Sequence, residues 1–344
     1  MLFELLGQQT DAGMTAHWDR SLFFGAVTVI AALFLDQWLG EPKRFHPLVG
    51  FGWIANRVER YFISSTANLE EMSLRERGRG FIAWFITVIP SIVFSISITL
   101  YLASRSQELL FIFNALILYL TLGGRSLVEH ADRVYKPLIN GDVDGAKQAL
   151  SMVVSRNTEY MNKAQITSST VETVLENGND AVVGPIFWFI LLGAPGAILF
   201  RLANTLDAMW GYKNQKYQNF GYTCAKADDF LGWVPARITA MIYAAQGQFK
   251  RAIYCWFTQA QYCSSPNGGV VMTAGAGSLG VLIGGPTYYD GVLHDKRLMG
   301  SGQKAKPGSI ARANALVTRG SIGLAVCWLG ICGAAYFISG GAVL

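Results

Sequence analysis

VETVLENGNDAVVGPIFWFILLGAPGAILFRLANTLDAMWGYKNQKYQNFGYTCAKADDFLGWVPAR, from Val171 to Arg237, decides how the rest of the chain is read. Glu172, Glu176 and Asp180 recur in steps of four, which places them along one face of a helix with Asn179 beside them. The next 20 residues, Ala181–Phe200, carry no charge, yet Pro185, Gly193, Pro195 and Gly196 interrupt them. Such breaks predict two half-helices in a re-entrant hairpin rather than one straight span. A second polar cluster follows, with Asn204, Asp207, Lys213, Lys216, Asp228, Asp229 and Arg237. Neighbouring acids repel one another, so a site that gathers them holds a cation or another positive partner. The plainer reading is a solvated helix face, against which stands a spacer apolar enough to touch a bilayer.

Outward from this stretch, the composition is that of a membrane protein. Of 344 residues 51% are hydrophobic and 15% charged, against about a quarter charged in soluble domains, and mean hydropathy is +0.30. The net charge of +5 comes from basic residues in loops between apolar runs, with no basic stripe carrying interleaved aromatics. That distribution fits a bacterial inner-membrane, multi-pass protein and excludes a nucleic-acid binder. Cys224, Cys255, Cys263, Cys327 and Cys332 form no CxxC pair and read as buried thiols. Met1 to Arg20 reads as an uncleaved leader to a signal anchor.

Four spans are predicted. They are Leu22–Leu35 extended by Gln37–Leu39, Gly80–Ala103, Leu109–Gly124 and the terminal run Gly320–Leu344. Ser104–Glu108 leaves room only for a tight turn, so the second and third spans should form an antiparallel hairpin. Pro90 is a candidate kink. Asp36–Gly52, with Pro42 and Pro47, reads as a structured loop at a membrane surface, with His46 in a structural hydrogen bond or an acid/base role. Ser126–Asn140 reads as an amphipathic helix, with a new helix starting near Asp142. Ser264–Tyr289, with seven glycines and two prolines, reads as a loop. Lys43, Arg44, Arg57, Arg60, Arg75, Arg77 and Arg79 place the loop Gln37–Arg79 in the cytoplasm. Residues 36–79, 123–180 and 201–319 are then cytoplasmic, both termini lie outside, and residues 1–344 form a single integral membrane domain. The fold class is therefore an all-α polytopic membrane protein, with about four transmembrane helices, a re-entrant broken-helix segment and helical cytoplasmic loops.

No GxxxxGK[ST] loop, GxSxG or HExxH is present, and the four histidines are scattered. Gly275–Gly280, GAGSLG, matches GxGxxG, but neither a preceding strand nor a following acid supports a dinucleotide site. A cradle for phosphate built from backbone N–H groups stays open for it. The carboxylates, amides and basic residues that remain suit Mg²⁺ and phosphate better than zinc, redox or acyl-enzyme chemistry.

DQWLGEPKRFHPLVGFG, GGRSLVEHADRVYKPL, VSRNTEYM, VETVLENGNDAVVGPIFW, ANTLDAMWGYKNQKYQNFG, ADDFLGWVPAR and SPNGG…GSLGVLIGGPTYYDG, in that order between about Asp36 and Gly300, resemble the CobD/CbiB family. These are the membrane-bound adenosylcobinamide-phosphate synthases of cobalamin biosynthesis. The resemblance implies an ATP-dependent amide ligase that joins adenosylcobyric acid, a corrinoid, to (R)-1-aminopropan-2-ol O-phosphate or ethanolamine phosphate. It implies ATP and Mg²⁺ as cofactors, the lipid bilayer as surroundings, and other cobalamin-pathway membrane enzymes as partners. Glu172, Glu176, Asp180 and Asp207 become the catalytic candidates, and Glu176, Asp180, Asp207, Asp228 and Asp229 the metal candidates. Arg125, Arg156, Lys213, Lys216 and Arg237 would bind nucleotide or amino-alcohol phosphate, and Asn204 and Asn267 would orient an amide or phosphate.

This chain departs from the family pattern at four positions. Asn157 and Glu41 stand where the family usually has Asp, Cys263 where it often has His, and Met272 where a Glu is typical. Either those positions are dispensable or the chain is a divergent paralogue. The alternative to the ligase is a non-catalytic membrane sensor or scaffold of the AmpE-like type. A broken-helix transporter should show inverted internal repeats, and none is found.

Overall fold

The computed structural model describes residues 11–42, 46–63, 72–154, 156–212, 214–289, 292–294 and 296–338. Lys43 and Arg44, counted above for orientation, lie outside them. In chain order the helices are α1 (Asp11–Leu39), α2 (Pro47–Phe62), α3 (Met72–Ala103), α4 (Gln107–Thr121), α5 (Gly124–Ile139), α6 (Val143–Ser151) and α7 (Lys163–Gly178). A π-helical turn, Asn179–Val183, leads into α8 (Gly184–Leu192), α9 (Ala194–Trp210), α10 (Tyr222–Ala245) and α11 (Phe249–Gln259). Then come α12 (Gly268–Leu279), the strands β1 (Val281–Gly284), β2 (Thr287–Tyr289), β3 (Val292–His294), β4 (Leu298–Gly300) and β5 (Gln303–Lys304), and α13 (Gly308–Ile338). The protein is an all-α polytopic membrane protein with a few short strands. Among the described residues, four segments are long and apolar enough to cross a membrane: Ser21–Leu39, Leu74–Ala103, Gln107–Ile139 and Gly308–Ile338. The chain groups into two compact units.

Unit 1 comprises residues 1–122, 184–232 and 325–344. Its spans owe their stability to lipid as much as to one another, since only 28% of the most apolar window of the second span is buried inside the protein. Phe81, Ile82, Phe85, Ile86 and Val93 of α3 point outward, an arrangement that water would penalise and hydrocarbon rewards. α3 runs unbroken through Pro90 and joins α4 by the expected tight turn, with Ser106 capping α4 through the Leu109 N–H at 3.2 Å. Trp84, Val88, Phe200, Leu206, Trp210 and Phe220 make the core, with Phe51 and Ala55 of α2 packed against it.

The broken helix reads as expected. Gly193 has φ +69°, a conformation that favours glycine, and there the chain reverses. A Cβ on Gly196 would collide with the carbonyl oxygen of Trp188. Residues eight apart in a continuous helix stand about 12 Å apart, so α8 and α9 fold back on each other. The tip, Leu192–Gly193, lines one cavity with Ser21 at the start of the first span and with Ala103 and Gln107 at the α3–α4 turn. The far end of α9 meets α2 instead, through Trp210 and Glu59, and α2 follows the other end of the first span. Both limbs of the hairpin therefore open toward the same end of the bundle.

Unit 2 comprises residues 123–183 and 233–324. α5 buries Leu127, Ala131, Val134 and Leu138 at helical spacing, and Asp142 caps α6 through the Gly145 N–H at 2.8 Å, as the sequence predicts. The reading of Ser264–Tyr289 as a loop needs correction. Gly268–Leu279 is a fully buried helix, because its glycines admit close neighbours: Gly275 lies under the Leu175 side chain and Gly277 against the backbone of Arg251 and Ala252. GAGSLG thus ends a helix and precedes β1, the reverse of the strand-to-helix order a dinucleotide site requires. β1 pairs antiparallel with β4 and parallel with β5, and β2 pairs antiparallel with β3.

Candidate active site

In unit 2 the acids rise from α7, whose start is fixed by a capping box. Asn162 Oδ1 accepts from the Gln165 N–H at 3.0 Å, and Gln165 Oε1 accepts from the Asn162 N–H at 2.9 Å. Two turns on, Glu172 is buried and both of its oxygens are engaged. Arg156 Nη2 donates to Oε2 at 2.7 Å, while the Ser168 hydroxyl and the Gly284 N–H each donate to Oε1 at 3.1 Å. Arg156 Nη1 also donates to Ser169 Oγ at 2.8 Å. Gly284 closes β1 with φ +84°, which turns its N–H toward the carboxylate. A buried ion pair repays its desolvation only when the remaining lone pairs are also satisfied, and here they are.

Glu176 stands one turn later, half-buried, with Oε1 against Gly268 at the first turn of α12: a Cβ there would collide with it. Ser265 Oγ accepts from the Gly268 N–H at 2.9 Å. Cys263 is close by. Burial pushes its thiol up, Lys296 opposes that, and Glu172 and Glu176 add to it. Asp180 lies in the π-helical turn, where Asn179 Nδ2 donates to its Oδ1 at 2.8 Å and the Thr239 hydroxyl donates to Asn179 Oδ1 at 3.0 Å. π-turns inside α-helices cluster at functional sites. Arg237 donates to Asn267 Oδ1 at 2.8 Å and lies over the Trp233 ring at 4.4 Å, with its pKa lowered by burial. Arg125 pairs with Glu129 at 2.8 Å near the start of α5.

In unit 1, α9 carries Asn204 and Asp207, and α10 carries Asp228 and Asp229. Asn204 Nδ2 donates to Asp228 Oδ1 at 3.2 Å. Burial pushes the Asp228 carboxyl up to about 6, with the Asn204 bond opposing and Asp229 adding. Cys224, one turn earlier on α10, is buried. Its thiol is pushed up by burial first and then by Asp207, with Asp228 contributing, so both acids face the same sulfur. Asp229 pairs with Lys226 at 3.7 Å.

Lys216 is held in an ion pair. Its Nζ lies 2.6 Å from Glu59 Oε1, and it donates to Tyr217 Oη at 2.9 Å. Those bonds raise its pKa, the Glu59 bond most. Tyr217 Oη donates to Glu59 Oε1 at 2.9 Å and Trp210 Nε1 to Oε2 at 3.1 Å, so Glu59 anchors this loop to α2. Glu59 escaped the sequence reading. Its signal was an acid at i+4 and i+8 from Ala55 and Phe51, on the buried face of an amphipathic helix. His46 takes the structural role: its Nδ1 accepts from the Leu48 N–H at 3.2 Å and caps α2. Lys213 lies outside the described residues. Among the described residues, no group of three or more His, Cys, Asp or Glu side chains is placed to hold a metal ion.

The profile of a family described as "CobD/Cbib protein" matches residues 29–317. The chain belongs to the CobD/CbiB family. It is 43% identical over 294 residues to the cobalamin biosynthesis protein CobD of Stutzerimonas stutzeri, covering 86% of this chain and 93% of that protein. It is 44% identical over 289 residues to the CobD of Chromobacterium violaceum, covering 84% and 91%. The CobD of Halalkalibacterium halodurans is 35% identical over 288 residues, covering 81% and 87%. No solved structure matches.

The positions where this chain departs from the CobD/CbiB pattern have local structural occupations. Asn157 Oδ1 accepts from the Glu159 N–H at 3.0 Å, an Asx turn. Cys263 Sγ lies 3.4 Å from Met299 Sδ, Met272 is buried within α12, and Glu41 lies 3.8 Å from His46 Nε2.

Proposed function

We propose that this chain is an enzyme of cobalamin biosynthesis, an ATP-dependent acid–amine ligase that joins adenosylcobyric acid to (R)-1-aminopropan-2-ol O-phosphate or ethanolamine phosphate, giving adenosylcobinamide phosphate. Membership of the CobD/CbiB family supports the pathway. The observation that carries the chemistry is Asp228, a carboxylate raised to about 6 by burial, bonded to Asn204 and sharing its surroundings with Asp207.

In such a ligation a carboxylate oxygen of the corrinoid attacks the γ-phosphorus of ATP, and the bond to ADP breaks. The amine then attacks the acyl carbon; the C–N bond forms, the C–O bond to phosphate breaks, and the ammonium must lose a proton. A carboxylate with a pKa near the working pH suits that last step, and Asp228 is such a group. Mg²⁺ would neutralise charge on the nucleotide phosphates. It needs only one or two carboxylates besides phosphate and water oxygens, and Asp207 with the Asn204 amide oxygen supplies hard donors of that kind. Glu172, with both oxygens engaged, serves as a positioning residue that holds Arg156 and the Gly284 turn. Arg237 and Asn267 form a candidate phosphate clamp in unit 2. With residues 36–79, 123–180 and 201–319 cytoplasmic, in a bacterial inner membrane, these groups meet cytosolic ATP.

Purified protein in lipid, supplied with adenosylcobyric acid, the amino-alcohol phosphate, ATP and Mg²⁺, should release ADP and phosphate and yield the amide by mass spectrometry. ATP-independent or absent product overturns the ligase and favours the sensor. Cysteines placed at Asn219 and Gly300 should react only with reagents that reach the cytoplasmic face.

A further inference from the structure

The outward face of α2 is apolar in its first half and basic in its second. Val49, Trp53 and Ile54 are exposed, Trp53 by 60%. One turn on come Arg57 and Arg60, both exposed, and Tyr61, exposed by 84%. At 3.6 residues per turn these six share one side of the helix, opposite Phe51, Ala55 and Glu59, which are buried. The Arg57 guanidinium lies 5.8 Å from the Trp53 ring centroid, within cation–π range, and Arg60 Nε donates to the Asn56 carbonyl at 3.2 Å. Neither arginine has a carboxylate partner among the described residues. Glu59, the one acid in α2, is turned inward and lies 2.6 Å from Lys216.

Depth decides what meets this face. Phe51 and Ala55 share a core with Trp84 and Val88, and α2 packs against α3. Trp84 and Val88 lie past Arg79, the last charge before α3 turns apolar. α2 therefore sits at the edge of the hydrocarbon. The spans on either side of it are exposed too, through Phe34, Trp38 and Leu39 of α1 and Phe81 and Phe85 of α3. Tryptophan, tyrosine and arginine are the residue types that settle at headgroup level. A second copy of the chain docked through the same face would bring four arginines together, which like-charge repulsion opposes. An anionic lipid answers both halves at once. Its acyl chains cover the apolar half, and a guanidinium stacked on a ring keeps its N–H edge for a phosphate.

We propose that α2 is an in-plane membrane helix whose outward face binds an anionic phospholipid, with the phosphate at Arg57 and Arg60 and the acyl chains along Trp53 and Ile54. On the opposite face Glu59 holds Trp210, at the end of α9, and Lys216 and Tyr217 in the loop that follows. A lipid on α2 therefore steadies the helix that anchors this loop, and α9 carries Asn204 and Asp207.

The test is native mass spectrometry of the full chain in detergent, titrated with dioleoyl phosphatidylglycerol or dioleoyl phosphatidylcholine. Phosphatidylglycerol should bind its tightest site more strongly than phosphatidylcholine does. Arg57→Gln should weaken that site about fivefold, and Arg57→Gln with Arg60→Gln about 25-fold, the weight of one and of two basic residues at an anionic surface. Phosphatidylcholine binding should not change. Arg75→Gln with Arg79→Gln, which removes two exposed arginines from the start of α3, should weaken the site far less. An equal loss there assigns the preference to the general positive charge of this end of the bundle and overturns the site, as does equal affinity for the two lipids. If the α2 double variant does not insert, the wild-type chain in nanodiscs decides, labelled with a phosphatidylglycerol that carries a diazirine beside its ester. Label should reach Trp53, Ile54 and Tyr61 and be displaced by phosphatidylglycerol. Label confined to outward positions of the spans such as Phe85 and Val93 overturns the proposal. So does displacement by sn-glycerol 1-phosphate as strong as by the lipid, which would assign the arginines to a soluble phosphate ester.

Discussion

Glu172 in unit 2 and Asp228 in unit 1 are both carboxylates on helices, drawn from the same stretch of sequence, and the structure treats them in opposite ways. Glu172 is buried with a guanidinium, a hydroxyl and a backbone N–H on its two oxygens. Asp228 is half-buried beside an amide, with acids for neighbours, and its affinity for a proton is raised. A carboxylate whose partners have been assembled around it holds structure together. One kept where its charge is poorly matched is poised to take a proton or a cation. Each can be made to fail in its own way.

The largest effect should come from Asp228→Asn. If Asp228 takes the proton from the attacking amine, kcat should fall by about 100-fold or more, with the protein inserted and folded. The substitution removes a charge that burial disfavours, so stability at pH 7 should hold or rise. The pH dependence sharpens this. The folded-state pKa of about 6 lies above the ordinary aspartate value of 3.8. The folded state therefore binds the proton more tightly, and the native contribution to stability is present below about pH 4 and is lost as pH rises through about 6. Activity should run the other way, rising through about pH 6 as Asp228 ionises, and the Asn variant should lack that limb. A wild-type profile flat between pH 5 and 7 would remove Asp228 from the proton step.

Glu172→Gln should do the reverse. It leaves Arg156 buried without its counter-charge, which costs about 3–5 kcal/mol in comparable pairs, and it weakens the grip on the Gly284 N–H. Thermal unfolding in lipid should shift down clearly, with hydrogen exchange at Gly284 accelerated. Residual activity per folded molecule should fall less than for Asp228→Asn. If activity vanishes while stability is unchanged, Glu172 belongs with the chemistry and the contrast collapses.

Much of this was legible in the sequence, because hydrocarbon is a demanding solvent. The uncharged runs at Gly80–Ala103 and Gly320–Leu344 and the Gly193 break allowed few folds. The amphipathic helix after Gly124 and the cap at Asp142 followed from local rules. Gly268–Leu279 was misread because glycine signals a loop and close helix packing alike, and only the neighbours decide which. The acids were found as residue types, but their roles were not. Steps of four place Glu172 and Glu176 on one face without showing that Arg156 and Gly284, distant in sequence, close around the first. Lys216 looked like a phosphate ligand because Glu59, 157 positions away, is its partner only in the fold.

The smallest effect is expected at Asn157, and it bears on whether the departures from the family pattern silence the chain. Asn157 accepts the Glu159 N–H through its side-chain oxygen and so closes a turn beside Arg156. Aspartate offers the same oxygen in the same place, and both residues favour such turns. Asn157→Asp should therefore leave stability within about 0.5 kcal/mol, as surface changes away from special features do, and ligation within about twofold. The variant also adds negative charge next to the arginine that Glu172 holds, so Asn157→Asp in the Glu172→Gln background should recover part of the stability lost there. A double-mutant cycle in thermal unfolding would measure that coupling. If instead Asn157→Asp raises turnover from nothing to a measurable rate, the family's acid at this position is catalytic, the native chain is the non-catalytic paralogue, and the contrast between Glu172 and Asp228 describes a scaffold rather than an enzyme.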